Sequence, residues 1–138
     1  MKKIILIMLC GLVYNANLFA QQNPSNDPMA KAFFSPEIIM QNQEAINLTE
    51  SQRTIINKEI QSAQSEFMSL QWNLAKETEK FKSLIEKDKP GEAVVTEQLE
   101  QMLAIENKIK KRQITLLIRI KNLLTHEQQE KLQQLKDK

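Results

Sequence analysis

One histidine is present, His126, followed directly by Glu127 and four residues on by Glu130. An imidazole with carboxylates one helical turn away could hold a transition metal or pass a proton. A single imidazole with no second His or Cys makes a weak metal site, so the plainer expectation is a solvated residue in the first turn of a helix. Four methionines outside the N-terminal apolar stretch, Met29, Met40, Met68 and Met102, suggest soft-metal binding, but no Met-x-x-Met spacing occurs. Filling irregular core gaps, or lining an adaptable surface, suits them better. The only cysteine, Cys10, and the only tyrosine, Tyr14, both lie near the N-terminus. A catalytic site needs convergent polar groups in a dry pocket, and the inventory does not supply them. No enzymatic activity, cofactor or bound metal is expected.

Met1 to Ala20 has the build of a secretory signal peptide. Lys2 and Lys3 precede an apolar run from Ile4 to Val13, and Ala20 offers a small residue for cleavage, although Leu18 is large for the −3 position. Cys10 follows Leu9, not the small residue that a lipoprotein signal needs. Removal of residues 1–20 leaves no cysteine, which excludes disulfides and thiolate chemistry. It also takes Lys2 and Lys3 from the 19 Lys plus Arg, leaving 17 against 17 Asp plus Glu. A near-neutral exported protein is poorly suited to nucleic acid. A periplasmic location is expected. Residues 21–34 hold Pro24 and Pro28, show no period, and are expected to form a disordered arm before a helical domain over 35–138.

Within that domain a five-residue frame occurs twice, Leu48-Thr49-Glu50-Ser51-Gln52 and Leu124-Thr125-His126-Glu127-Gln128. Thr followed three residues later by Gln is a capping box: the hydroxyl accepts from the N3 amide and the Gln side chain returns to the N-cap amide. Ser35-Pro36-Glu37 marks an earlier helix start, with a short helix to about Ala45. From Thr49 apolar residues recur in steps of three and four: Ile56, Ile60, Ala63, Phe67, Leu70, Leu74, Phe81 and Leu84, with one gap at Glu77. This spacing predicts a long helix to roughly Lys87, packed nearly antiparallel on another. Asp88-Lys89-Pro90-Gly91 is the turn. Glu92 to Leu123 returns, with Val95, Leu99, Met102, Ile109, Leu116, Ile120 and Leu123 on the matching seam. The second capping box starts a final helix to about Leu135. The fold expected is all-α: a long antiparallel αα-hairpin with a short helix at each end, four helices in all, curved and dimeric. Leu48 and Leu124 then meet at one end and plug a shared core.

The twice-repeated Leu-Thr-x-x-Gln frame, in a small helical chain with an export signal, resembles the Spy/CpxP family, named for this LTxxQ motif and related to heavy-metal-resistance proteins. The resemblance runs from about Ser35 to the C-terminus and implies an ATP-independent periplasmic chaperone of the envelope stress response. Relatives of this kind form thin curved dimers whose concave face holds unfolded clients. The alternatives that the resemblance leaves open are a regulator docking on the periplasmic domain of a membrane sensor kinase, and a metal-binding stress sensor.

Surface chemistry supplies the candidates for client binding. Trp72 lies off the Ile56–Leu84 seam, and Met68 precedes it by one turn on the same face. With Ile55 and Phe33-Phe34 they could form an exposed apolar patch, unless the first short helix covers it. Lysines interleave, so the residues expected to contact unfolded or misfolded clients are Ile55, Lys58, Met68, Trp72, Lys76, Lys111 and Arg112. The run Lys108 to Arg112 reads otherwise as a solvated helix face.

Overall fold

The computed structural model describes residues 32–136, and among these there are four helices and no strand. The expected signal peptide and residues 21–31 of the arm lie outside them. Helix α1 spans Pro36–Gln41, α2 Glu50–Ile85, α3 Glu92–Leu123 and α4 His126–Lys136. The two long helices form the antiparallel hairpin that the heptad-like spacing predicts.

Ser35 caps α1, its hydroxyl accepting from Ile38 N at 3.4 Å, with Pro36 in the first turn. The helix stops at Gln41, short of Ala45, with Asn42 as its C-cap: the Asn42 backbone N–H is shared between Ile38 O and Ile39 O at 3.2 and 3.3 Å, and its side-chain amide also donates to Ile38 O at 2.8 Å. Turns continue to Asn47, whose φ of 52° lies in the left-handed region that asparagine tolerates better than most residues. The chain thereby reverses into Leu48 and the capped start of α2. With 36 residues, α2 is a rod of about 54 Å.

Phe34, Ile39, Ile46, Leu48, Ile56, Ala63, Leu116, Ile120, Leu124 and Leu132 form the core. All four helices and the loop before α2 contribute, and all of these residues lie at the end of the hairpin away from its turn. Ile39, Ile56, Ile120 and Leu132 are completely enclosed, each stabilising the fold by about 1.5–3 kcal/mol through transfer from water. Phe34 belongs to this core, not to a disordered arm, and the compact unit opens at Phe33. By contrast no residue between 64 and 115 is buried. The far half of the molecule is two helices touching along one stripe each.

Candidate functional site

At the closed end both Leu-Thr-x-x-Gln frames form their capping boxes. Thr49 Oγ1 accepts from Gln52 N and Thr125 Oγ1 from Gln128 N, both at 3.2 Å, while the Gln side chains accept from Thr49 N at 3.0 Å and Thr125 N at 2.9 Å. The two boxes are also joined to each other. Gln52 Nε2 donates to Gln128 Oε1 at 2.8 Å, and Gln128 Nε2 to Gln52 Oε1 at 3.0 Å. The remaining protons reach backbone: Gln52 Nε2 to Leu123 O at 2.7 Å, Gln128 Nε2 to Ile46 O and Asn47 O at 3.3 and 3.4 Å. Leu48 and Leu124 are buried beside this pair, as expected. Each glutamine therefore caps its own helix and bonds to the other motif, so the repeat is a clasp.

The hairpin seam contains one polar step. Glu77 breaks the apolar row of α2, and Gln98 faces it, donating through Nε2 to Glu77 Oε2 at 2.8 Å and to Glu77 O at 2.9 Å. Gln98 thus takes the inward position that the sequence assigns to Leu99, and Leu99, one residue or about 100° further round the helix, is turned out and 38% exposed. The Gln98 bond, and then the bond from Lys80, hold the Glu77 carboxyl below its ordinary pKa of 4.5. A depressed carboxylate pKa contributes stability that is present above the unfolded value and disappears as pH falls through the folded one. We expect the Glu77→Gln variant to lose less stability than the parent on acidification below about pH 4.5, read by urea unfolding at stepped pH. Parallel acid profiles would refute this.

Two broad faces flank the seam, and they differ in chemistry. On one, Arg119 Nη1 meets Glu59 Oε2 at 2.9 Å, and Arg112 Nε meets Glu66 Oε2 at 2.5 Å with Ser62 Oγ at 3.3 Å from Nη2. Nearer the turn the same face has a shallow depression where Glu77, Lys80, Glu97, Gln98 and Gln101 are joined by the apolar Leu84 and the exposed Val94. Helical position puts Ile60, Phe67 and Ile85 of α2 on the opposite face, with Leu99, Leu103, Ile114 and Leu117 of α3. Near the core this second face is covered by the chain itself. Ile60 and Phe67 pack against the core cluster, Lys121 Nζ stands 5.6 Å from the centre of the Phe33 ring, and Lys136 Nζ donates to Phe33 O at 2.9 Å. From Phe67 to Ile85, about 27 Å of helix, it is mixed: Leu99 and Leu103 are exposed, and helical position places Gln71, Thr78 and Lys82 of α2 and Glu106 and Lys110 of α3 around them.

The seven expected client contacts do not make one patch. Trp72 and Met68 are 73% and 62% exposed, and they lie with Lys58 and Lys76 on the outer face of α2, away from α3. Ile55 is exposed but sits well round the helix from Trp72. Phe34, expected beside it, is in the core. Lys111 is exposed on α3. Arg112 is not a free surface cation: its side chain is only 10% exposed and is held between Glu66 and Ser62 as an interhelix tie. The second face, with Leu99 and Leu103 at its centre, was not anticipated as a separate surface.

His126 is exposed and pairs with Glu130, Nε2 to Oε1 at 3.1 Å. Among the described residues no three His, Cys, Asp or Glu side chains gather as a metal site would require, and no helix is long and apolar enough to cross a membrane. Comparison with protein-family models, with curated proteins and with solved structures gave no match.

Proposed function

We propose that this protein is an exported, ATP-independent holding chaperone that binds unfolded or misfolded envelope proteins, acting by surface contact and not by catalysis. The observation that carries the reading is the set of large apolar side chains that the hairpin leaves in water, with Leu99 and Leu103 of α3 38% and 46% exposed beside the seam. Soluble proteins rarely keep extended apolar surface in water without a partner for it. Exposed Trp72 and Met68 on the outer side of α2 supply a second contact, and long flexible lysines nearby add attraction for acidic segments. Each contact is weak singly, so a client is shielded and then released with no nucleotide. The Leu-Thr-x-x-Gln clasp agrees with the resemblance to the Spy/CpxP family.

The test is aggregation of a chemically denatured client, followed by light scattering without ATP. Suppression at a near-stoichiometric ratio is expected, and Trp72→Ala should weaken it while leaving thermal unfolding unchanged. Absence of suppression at several-fold excess rejects the proposal. A pull-down that returns one sensor-kinase domain in place of many unfolded clients would favour the regulator reading instead. Two copies are expected to associate, since the distal rods bury little surface within one chain. Multi-angle light scattering should give a dimer mass at tens of micromolar, and a monomer mass would contradict it.

A further inference from the structure

Within residues 32–136 the sulfur is all thioether, carried by Met40, Met68 and Met102. These three side chains stand in different surroundings. Met40 follows the fully enclosed Ile39 in α1 and is half-buried, and Met102 is half-buried in α3. Met68 is 62% exposed on the outer face of α2. Its neighbours one helical turn away, Gln64, Ser65, Gln71 and Trp72, are all exposed as well. A small oxidant in water therefore reaches the Met68 sulfur without any opening of the fold.

The chemistry is oxygen transfer from a hydroperoxide. The sulfur lone pair attacks one oxygen of hydrogen peroxide, an S–O bond forms as the O–O bond breaks, and the departing hydroxide takes the proton of the transferred oxygen to leave as water. Sulfur gives up two electrons and the peroxide gains them. A flexible apolar thioether becomes a polar, chiral sulfoxide. At a half-buried methionine the new dipole has to displace packed neighbours. At Met68 it stays in water, and what changes is the apolar surface that Met68 presents beside Trp72, itself 73% exposed.

We infer that Met68 is an oxidation site for hydroperoxides, and that its sulfoxide switches off the outer contact of α2 while the fold stays intact. The switching half rests on the chaperone reading, whereas the choice of Met68 over Met40 and Met102 does not. A methionine sulfoxide reductase driven by a dithiol resets the site, returning two electrons to sulfur and releasing the oxygen as water.

The experiment treats the full chain, purified as the cell processes it, with limiting hydrogen peroxide and follows tryptic peptides by mass spectrometry. Lys58 and Lys76 bound the peptide that holds both Met68 and Trp72, and its fragment ions place the oxygen. Met68 should convert about fivefold or more faster than Met40 and Met102. The thermal midpoint by circular dichroism should not move. Suppression of client aggregation should then need about threefold more protein, and reductase with dithiothreitol should restore it. Met68→Leu should show no such loss relative to its own untreated form. Equal conversion of Met40 or Met102, oxygen placed on Trp72, a lowered midpoint, undiminished suppression by the oxidised parent, or an equal loss in Met68→Leu each overturns the inference. Untreated protein that suppresses nothing rejects the chaperone reading and the switch together, while the order of methionine conversion still decides the site.

Discussion

Replacing Leu132 by alanine should lower the unfolding free energy by about 2–5 kcal/mol, the range for truncating an enclosed leucine to a cavity. Leu132 is fully enclosed and is the one apolar side chain that α4 buries completely, packed in the cluster with Ile39, Ile56 and Ile120. The remaining contacts of α4 are the Gln128 bonds and half-buried positions, so little exists to compensate. For a unit of about 100 residues, 1 kcal/mol moves the midpoint by roughly 4–8 °C, and a fall of more than about 10 °C is expected by circular dichroism. A fall under about 3 °C would mean that α4 is not held to the core through this side chain.

Gln128→Glu should be nearly as damaging at neutral pH, for a different reason. Gln128 is 8% exposed, and its Nε2 donates to the carbonyls of Ile46 and Asn47 and to Gln52 Oε1. Glutamate in that place puts a carboxylate oxygen against three acceptors. Each unpaired buried group costs about 1–3 kcal/mol, and burying the charge adds to it. Desolvation and facing acceptors raise the new carboxyl's pKa above the unfolded value, so the neutral form is favoured in the folded state. The sign is therefore opposite to that at Glu77: the variant should recover stability as pH falls toward 5, when the proton restores a donor. Gln128→Ala, which loses the bonds without adding charge, should show no such recovery. Urea midpoints at pH 7.5 and 5 separate the two, and equal behaviour of both variants would refute the clasp as drawn.

Much of this was legible before any coordinates. The steps of three and four from Ile56 to Leu84, and one Pro-Gly break at Pro90-Gly91, are enough to specify an antiparallel hairpin, because apolar stripes that long must find each other. The pairing of the two Leu-Thr-x-x-Gln ends followed from that hairpin. What the pattern could not supply was the choice between neighbouring positions. Leu99 scores as core and Gln98 as surface by residue type, yet an acid at Glu77 needs a donor opposite it, and the amide has one. Arg112 was read as a surface cation for the same reason. A signal for it did exist: reflected about Lys89, position 112 falls opposite Glu66 and position 119 opposite Glu59, both acidic, and both pairs form. The Gln52–Gln128 bonds had no such signal, since a capping box explains each glutamine fully without the other.

The absence of any buried residue between 64 and 115 has a mechanical result. Cooperative opening follows local packing, so amide exchange should run slowest around Ile56 and Ile120 and progressively faster toward the turn at Asp88. Under the proposed function, the region offered to clients is then the most compliant among the described residues. Such a surface can adjust its spacing to different guests at small energetic cost, which broadens what it accepts and limits how tightly it can grip any one of them.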